Sequence, residues 1–320
     1  MIDGCGRPID HLRLSLTDRC NLACRYCVPE GVHPPQQHLD ARLAYELVAW
    51  LAREHGIRHL RLTGGEPLLY PGLTPLIARL ATVPELHEIT LTTNGQALAH
   101  QAQALRAAGL SRLNVSLDTL KADRFAQLTR GGQLEHTVAG IRAAVECGLT
   151  PIKLNMVVQR GLNEDELADV ALWGLSLGCV VRFLEVMPIG PYAHVVDRHL
   201  VPASEIVDSL SRHFALRPIP RPLGQPSIDY AASAGDLRGV IGVIAPTTQP
   251  FCDRCRRIRI TARAAVVPCV HDGRSYDLSC AWDGDSLETR RADAVLREAV
   301  AKKPAQGSRS QGLTMLALGG

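Results

Sequence analysis

The chain has 320 residues, of which 46% are hydrophobic and 21% charged, and its formal net charge at pH 7 is +3. This composition is typical of a folded globular protein and excludes an intrinsically disordered chain. The small net charge excludes a surface that coats polyanions non-specifically, so any phosphate site has to be local.

The N-terminal segment carries acidic residues and no long apolar run, so we expect no secretory signal and a cytoplasmic location. The longest apolar stretch, 170–181, is shorter than the roughly 18 residues that a membrane span requires. Ten cysteines in such a chain favour thiol or metal chemistry over a disulfide framework.

The first predicted strand begins at His11 and leads into three cysteines, Cys20, Cys24 and Cys27, spaced C-x3-C-x2-C. Structural zinc motifs usually supply four ligands in paired C-x2-C units, which this spacing does not provide. A four-iron, four-sulfur cluster held by three cysteines keeps one iron open, and that iron can bind a small chelating molecule and pass it an electron. The spacing therefore indicates an iron–sulfur cluster with a vacancy for substrate.

Five more predicted strands alternate with amphipathic segments of helical length. These strands begin at His59, Glu88, Arg112, Pro151 and Val180. One predicted helix, ARLAYELVAWLAREHG, ends at Gly56, and another has Asn163 as its predicted N-cap. Repeated βα units predict an α/β fold with a parallel sheet, either doubly wound or curved into a barrel.

Unusual residues follow the C-terminal ends of these predicted strands. Besides the first cysteine triad they are Gly64-Gly65-Glu66-Pro67, Thr92-Thr93-Asn94, Ser116 and Met187. The active sites of α/β barrels lie at this edge of the sheet. We therefore predict an incomplete (β/α)6 TIM-like barrel with one large site ringed by six strand ends.

The βα alternation stops near Pro202, where the sequence becomes rich in proline, arginine and short β-like runs. We predict a barrel over 1–200, a smaller C-terminal cluster-binding domain over 201–304 and a flexible tail over 305–320 that ends in Gly319-Gly320.

The predicted C-terminal domain contains a second cysteine group, formed by Cys252, Cys255 and Cys269. A zinc site completed by Cys280 is an alternative to a second iron–sulfur cluster, although C-x2-C pairing is missing on that side. The arginines around this group also allow a metal-bound nucleic-acid-binding module, against which the small net charge counts.

The motif C-x3-C-x-Y-C, which includes Tyr26, resembles the signature of radical S-adenosylmethionine enzymes, and TGGEP is similar to a second motif of that superfamily. FCDRCRRIRI followed by Cys269 resembles the C-terminal motif of the GTP 3′,8-cyclase family, which acts at the first step of molybdenum cofactor biosynthesis. The likeness runs nearly end to end and includes GRPIDHLRLSLTDRCN, RLTGGEPLL, LTTNG, RLNVSLD, KLNMVVQRGLNEDEL and RFLEVMPIG.

This resemblance implies two four-iron, four-sulfur clusters, one on each cysteine triad, and S-adenosylmethionine as cosubstrate. The residues implied to place S-adenosylmethionine are Tyr26, Gly65, Ser116 and Met187. The implied GTP contacts are Arg13, Arg61, Thr92, Lys153, Arg257 and Arg259, and the catalytic candidates among them are Arg13, Arg257 and Arg259. Arg13, Arg61 and Lys153 alternate with apolar residues and are alternatively ordinary residues on the polar face of a strand.

The implied reaction is the cyclisation of GTP to (8S)-3′,8-cyclo-7,8-dihydroguanosine 5′-triphosphate. A 5′-deoxyadenosyl radical removes the 3′ hydrogen, and C3′ then attacks C8 of guanine. The implied partners are a flavodoxin- or ferredoxin-like electron donor, a downstream cyclic pyranopterin monophosphate synthase and a second copy in a homodimer, with no nucleic acid and no membrane.

Two alternatives to this function are a peptide-modifying radical S-adenosylmethionine enzyme with an auxiliary cluster and a less active paralogue. The second alternative rests on Val28, Tyr70 and Arg263-Ala264, which depart from the family pattern.

Overall fold

The structure is a computed structural model that describes residues 1–32, 36–284, 286–307 and 315–318. Six parallel strands lie side by side in sequence order at its centre. They are β1 (His11–Ser15), β2 (His59–Thr63), β3 (Glu88–Thr93), β4 (Arg112–Ser116), β5 (Ile152–Val158) and β6 (Val180–Glu185). All six predicted strands are therefore confirmed.

Helices connect these strands, and further helices lie in the C-terminal part of the chain. They are α1 (Ala41–His55), α2 (Leu73–Leu80), α3 (Ala102–Ala107), α4 (Ala122–Thr129), α5 (Leu134–Glu146), α6 (Leu167–Ser176), α7 (Val196–His199), α8 (Ala203–Ser211), α9 (Thr289–Ala301) and α10 (Met315–Leu318). Within the described ranges, no helix combines the length and the apolar character needed to span a membrane.

The first helix shows how sequence signals set the boundaries of an element. The Asp40 side chain caps α1 by accepting hydrogen bonds from the backbone amides of Arg42 and Leu43. The helix ends, as predicted, at Gly56, whose φ of 71° lies in the left-handed region that glycine adopts without steric cost.

The alternation of residues along the strands separates the core from the site. Leu12 and Leu14 of β1 are fully buried and belong to the main core under the helices. Arg13 lies between them and therefore points to the opposite face, inside the curve of the sheet. The same pattern in β2 places Arg61 inside the curve of the sheet. The alternation of side chains along the strands therefore places charged groups in the interior of the barrel.

The predicted N-cap role of Asn163 is wrong. A 3-10 turn over Glu164–Glu166 precedes α6, and the Asn163 side chain caps neither element. Its amide nitrogen donates instead to the carbonyl oxygens of Asp118 and Val157, at 2.8 and 3.0 Å. Asn163 therefore ties the loop after β4 to the end of β5, which a local capping pattern does not reveal.

The C-terminal strands extend the same sheet at both edges. β10 (Arg257–Ile260) lies parallel to β1, and β9 (Leu237–Ile244) lies parallel to β6. The order of the large sheet is β12-β11-β10-β1-β2-β3-β4-β5-β6-β9-β8-β7. The remaining strands are β7 (Ala215–Pro218), β8 (Ile228–Ala234), β11 (Ala265–Val267), β12 (Tyr276–Asp277), and the separate pair β13 (Trp282–Asp283) and β14 (Ser286–Leu287). The sheet is continuous across position 200, and the domain boundaries stay a prediction.

Of the residues that depart from the family pattern, Val28, Tyr70 and Ala264 are buried, whereas Arg263 is exposed. Tyr70 is buried and its hydroxyl donates to the carbonyl oxygen of Leu39 at 2.6 Å. Val28 is buried, and Ala264 takes a φ of 55° in the turn between β10 and β11. An alanine pays a steric penalty at such a φ that a glycine avoids.

At the end of the chain, Leu318 of α10 packs in a small cluster with Ile189 and Val267. The terminal pair Gly319-Gly320 falls outside the described residues.

Candidate active site

A cavity of about 320 Å³ opens at the C-terminal ends of the six parallel strands, and both cysteine triads line it. Its volume lies within the range of about 300–1,000 Å³ that is usual for small-molecule sites. Every site residue predicted from the sequence lines this cavity except Lys153. Two groups that are far apart in sequence therefore share one chamber.

The first cysteine triad lies on a tight loop after β1. The carbonyl oxygen of Cys24 accepts hydrogen bonds from the amides of Cys27 and Val28, at 2.9 and 3.0 Å. Burial raises the pKa of Cys20 to about 11 and that of Cys27 to about 12, and it also raises the pKa of Cys24. The free thiols are therefore protonated at neutral pH, and a metal centre that binds them has to displace those protons.

The end of β2 packs directly against the segment that leads into this loop. Gly65 donates its amide to the carbonyl oxygen of Thr17 at 2.6 Å, and Glu66 donates to that of Arg19 at 2.8 Å. A Cβ atom on Gly65 would lie only 2.4 Å from the Arg19 carbonyl oxygen. Only glycine allows the two backbones to approach this closely.

Replacing Gly65 with alanine should lower the free energy of unfolding by about 3 kcal/mol, because the clash is with backbone and not with a flexible side chain. Urea denaturation of the apo-protein measures the change. The control is Gly72→Ala, at an exposed site with φ of 77° and open space around a Cβ, where only the left-handed penalty of about 1 kcal/mol applies. Equal losses in the two variants would contradict the close-approach argument.

Glu66 joins the ends of β2 and β3. Its buried carboxylate accepts hydrogen bonds from the amides of Leu68 and Asn94 and from the hydroxyl of Thr93, at 3.0, 2.7 and 2.6 Å. Burial raises the pKa of Glu66 to about 7, and the three donors oppose that shift. The Glu66 carboxylate therefore fixes the ends of β2 and β3 relative to each other at the rim of the cavity.

The raised pKa of Glu66 predicts a pH dependence of stability. An acid whose pKa is higher in the folded state contributes stability below its unfolded pKa of about 4.5, and this contribution is lost as the pH rises through about 7. We expect the free energy of unfolding of the apo-protein to fall between these pH values. Glu66→Gln should remove this part of the profile in urea titrations at several pH values, and an unchanged slope would refute the assignment.

Tyr26 is held in place by Asp118, a residue that the sequence analysis missed. Its hydroxyl donates to one oxygen of Asp118 at 3.1 Å, and the other oxygen accepts from the amide of Val157 at 2.8 Å. Burial raises the pKa of Asp118 to about 6. The available signal was its position two residues after β4, the same strand-end placement that marks the predicted site residues.

A row of arginines crosses three adjacent strands. Arg259 of β10, Arg13 of β1 and Arg61 of β2 are direct neighbours in the strand register. Burial, together with the positive charges of Arg259, Arg61 and Arg257, lowers the pKa of Arg13 far below its usual range. Because guanidinium groups stay protonated in proteins, this shift describes mutual repulsion that a bound anion would relieve.

A second polar row crosses β4, β5 and β6. Ser116, Asn155 and Arg182 are neighbours in register, and all three line the cavity. Arg182 was missed from the sequence, although an arginine within the apolar run VVRFLEVM was a usable signal. Burial lowers its pKa to about 10, with Asp229 3.9 Å away.

Lys153 lies two residues before Asn155 on β5 and therefore deeper in the barrel, below the residues that line the cavity. Burial and the positive charges of Arg182, Arg112 and Arg61 lower the pKa of Lys153 to about 7. The structure places Lys153 in the same cationic group but not at the cavity wall, and its contact with GTP stays a prediction.

Several polar atoms of this chamber have no hydrogen-bond partner within the described part of the chain. They are Thr92 Oγ1, Asn155 Oδ1, Arg182 Nε, Arg257 Nη2 and Arg259 Nη1. Buried polar groups are almost always paired in folded proteins. These donors and acceptors are therefore the groups that a polar ligand would satisfy.

The second cysteine triad flanks β10 and β11. The amide of Cys255 donates to the carbonyl oxygen of Cys252 at 3.2 Å, and Cys269 follows β11. Burial favours a raised pKa for Cys255, but the positive charges of Lys303 and Arg257 outweigh it and the pKa is lowered.

Among the described residues, Cys280 does not gather with the second triad as the ligands of one ion would. Cys280 is exposed on a separate turn, and its Sγ contacts the carbonyl oxygen of Asp277. Tetrahedral zinc holds its sulfur ligands about 3.8 Å apart, given Zn–S bonds of about 2.3 Å. Among the described residues, ligand atoms of three such side chains gather within 4.8 Å of one another only at Asp10, His11 and His59, and at neither cysteine triad.

The Asp10 group lies at the opposite end of the strands from the cavity. Asp10 is already engaged by the Arg256 guanidinium and by His11 Nδ1, the latter at 2.6 Å. Its carboxylate thus serves to join β1 to the start of β10.

Family comparisons agree with this fold. The profile of the Radical SAM superfamily matches residues 14–174, and that of Molybdenum Cofactor Synthesis C matches residues 179–309. The crystal structure of Streptococcus suis SuiB bound to precursor peptide SuiA has a TM-score of 0.65 and 12% identity, covering 97% of this chain and 76% of that one. The chain is thus a radical S-adenosylmethionine enzyme, and the predicted partial barrel is confirmed.

Curated relatives define the family more narrowly. GTP 3′,8-cyclase of Pelotomaculum thermopropionicum is 42% identical over 307 residues, which cover 95% of this chain and 94% of the relative. The enzyme of the same name from Moorella thermoacetica is 43% identical over 310 residues, covering 96% and 94%. GTP 3′,8-cyclase 2 of Pseudomonas aeruginosa is 39% identical over 308 residues, covering 95% and 92%. The chain belongs to the GTP 3′,8-cyclase family.

Proposed function

We propose that this chain cyclises GTP to (8S)-3′,8-cyclo-7,8-dihydroguanosine 5′-triphosphate, the first step of molybdenum cofactor biosynthesis. The observation that carries the proposal is the presence of two free cysteine triads and a buried row of arginines around one cavity. The cysteine triads alone do not account for the positive charge of the cavity, and the arginines alone do not account for its thiols.

In this proposal Cys20, Cys24 and Cys27 hold the four-iron, four-sulfur cluster that binds S-adenosylmethionine. The residues that place the cosubstrate are Tyr26, Gly65, Ser116 and Met187. Support comes from their common position on the cavity wall and from the rigid mounting of the first two. Tyr26 is fixed by Asp118, and Gly65 by its backbone contact with Thr17.

Cys252, Cys255 and Cys269 hold a second four-iron, four-sulfur cluster with one iron open to the guanine of GTP. In such a cluster each thiolate binds a different iron, so its sulfur ligands stand farther apart than around a single ion. The sulfurs of this triad do not all lie within 4.8 Å of one another, as the ligands of a single zinc ion would, and this favours a cluster over zinc. The nearby cations Lys303 and Arg257 favour the thiolate form that any iron centre requires.

The triphosphate of GTP is bound by the cationic group of the barrel. Arg13, Arg61 and Arg259 form one row, Arg257 lies beside it, and Thr92 offers an unpaired hydroxyl. Guanidinium forks bind phosphate oxygens in pairs, and the anion removes the repulsion among the arginines. Arg13, Arg257 and Arg259 are the groups we assign to catalysis as well as to binding.

When bound, the two clusters and S-adenosylmethionine supply the electron and the 5′-deoxyadenosyl radical for removal of the 3′ hydrogen and attack of C3′ on C8. The residues of the chain orient the two substrates and shield them from water. Apolar side chains of Leu184, Val186 and Ile189 line the same cavity as the charged groups and restrict solvent there.

The partners that follow from this chemistry are also proposals. The first electron has to come from a low-potential donor of the flavodoxin or ferredoxin type. The product is then taken by a cyclic pyranopterin monophosphate synthase. We place the enzyme in the cytoplasm as a homodimer, with neither nucleic acid nor membrane as a partner.

Anaerobic reconstitution tests the proposal. We expect about eight irons per chain, since two four-iron clusters are expected, and cyclised GTP after addition of dithionite, S-adenosylmethionine and GTP. The matched control is Cys280→Ser, which should retain the same iron content and turnover because Cys280 is exposed and its Sγ contacts the Asp277 carbonyl oxygen. About four irons together with bound zinc would refute the second cluster, and 5′-deoxyadenosine without cyclised product would refute the substrate.

A further inference from the structure

Two cations from opposite ends of the chain hold the backbone around the second cysteine triad. Lys303 Nζ donates to the carbonyl oxygen of Arg257 at 2.9 Å and to that of Pro268. Arg7 Nη1 donates to the carbonyl oxygen of Cys252 at 2.7 Å. These carbonyls belong to Cys252 itself, to the residue two positions after Cys255 and to the residue directly before Cys269. All three cysteine segments are therefore held by side chains outside the motif.

The two cations form one connected unit. Arg7 also donates to the carbonyl oxygens of Pro304 and Ala305, at 2.7 and 3.1 Å, which directly follow Lys303. Asp3 pairs with Arg7 Nε at 2.7 Å inside the protein. The N-terminal turn and the segment after α9 thus close over the back of the cysteine loops.

The charges of the two cations are not equivalent. The carboxylate of Asp3 neutralises the Arg7 guanidinium, whereas the Lys303 ammonium donates its two hydrogen bonds to backbone carbonyl oxygens, which carry no net charge. Lys303 is only 5% exposed, so water screens its charge poorly. Lys303 lines the same cavity as Cys252, Cys255 and Cys269, and the two carbonyls that accept its hydrogen bonds lie within two residues of Cys255 and Cys269. Lys303 is thus a buried cation anchored beside the second cysteine triad.

We propose that Lys303 is a positioning residue for the second iron–sulfur cluster, locking the Cys255 segment to the Cys269 segment and stabilising the reduced cluster with its charge. This inference rests on the proposed function, because it requires a cluster on the second triad. A fixed positive charge favours the state that carries an additional electron and so raises the reduction potential. Arg7 holds the Cys252 segment but adds little net charge.

The test compares reconstituted full-length wild-type protein with Lys303→Met, Lys303→Arg and Lys302→Met. Two measurements are made: resistance of the bound iron to a chelator, and the midpoint potential of the second cluster in an anaerobic redox titration followed by electron paramagnetic resonance. The first cluster provides an internal reference in each sample. Lys302 is the matched control because it is exposed and pairs with Glu298 at 2.7 Å.

We expect Lys303→Met to lower the chelator concentration that removes half of the second cluster by about ten- to a hundredfold, as for other outer-shell partners of metal ligands. Its midpoint potential should become more negative, and the first cluster should stay unchanged. Lys303→Arg should have the midpoint potential of the wild type because it keeps the positive charge. Lys302→Met should match the wild type in both measurements.

Wild-type chelator resistance and potential in Lys303→Met would overturn the inference, whatever its turnover. If circular dichroism reports that this variant is unfolded, Lys303→Gln takes its place, since glutamine keeps a donor but no charge. An unshifted potential in Lys303→Gln would equally overturn the inference. A wild-type protein with only about four irons refutes the proposed second cluster itself, and with it this role of Lys303, whereas eight irons with an unaffected variant refute the role alone.

Discussion

The Cys24→Ala variant should form 5′-deoxyadenosine only at the background level of a reaction without enzyme. Cys24 lies at the centre of the first triad, and its carbonyl oxygen organises the turn through hydrogen bonds from Cys27 and Val28. Two remaining thiolates cannot replace three in holding a cluster that already keeps one iron open for the cosubstrate. Chromatography of anaerobic reactions with dithionite and S-adenosylmethionine measures the product.

Iron content separates loss of the cluster from loss of the fold in this variant. We expect about four irons per chain, all on the second triad, with an unchanged circular dichroism spectrum. Cys147→Ala is the matched control, because Cys147 is the C-cap residue of α5 and its Sγ contacts the Ala144 carbonyl oxygen in the same helix. Turnover at the wild-type level in Cys24→Ala would disprove the assignment of the first cluster.

Replacing Arg257 with alanine should strongly slow cyclisation while it spares the fold and both clusters. Loss of one preorganised charge from such a site typically lowers the rate by about a hundred- to a thousandfold. The Arg257 guanidinium lies 4.9 Å from the centre of the Phe251 ring and adds to the positive charge around Arg13. Its removal relieves repulsion in the apo-protein, so thermal stability should not fall as it does for most buried side chains.

Quantification of cyclised GTP, iron and the unfolding temperature checks the three parts of this expectation. Arg254→Ala serves as the control, since Arg254 lies on the turn just before β10 but is exposed and pairs with Asp253 at 3.6 Å. Arg254→Ala should retain activity. A fully active Arg257→Ala variant would remove Arg257 from the site, and loss of iron from it would show that the arginine supports the cluster and not the substrate.

Local signals were sufficient for the central barrel. Each of β1 to β6 is short, apolar or β-branched and followed by a turn, so its position is encoded within its own segment. The clustering of site residues at strand ends also follows from parallel topology alone, because all such ends meet at one edge. This reasoning predicts that Gly65, Thr92, Ser116 and Met187 meet at one edge, and all four line the cavity.

Residues that act through distant partners were not accessible in the same way. Asn163 has the sequence context of a helix cap, yet its side chain is used by Asp118 and Val157 from two other elements. Lys303 lies in a polar segment of linker composition, and only the fold brings it to Pro268. The joining of β9 and β10 to opposite edges of the barrel is likewise non-local, and strand periodicity carries no information about the partner.

The pairing of β1 with β10 links the synthesis of the chain to the completion of its site. The Asp10 and Arg256 side chains that join these strands are 246 residues apart in sequence. During synthesis the outer edge of β1 therefore remains unpaired until most of the chain has emerged from the ribosome. Open strand edges invite pairing with other chains, and such long-range contacts form slowly. A nascent chain that stops before β10 would thus expose both an unpaired strand edge and an incomplete second cysteine triad.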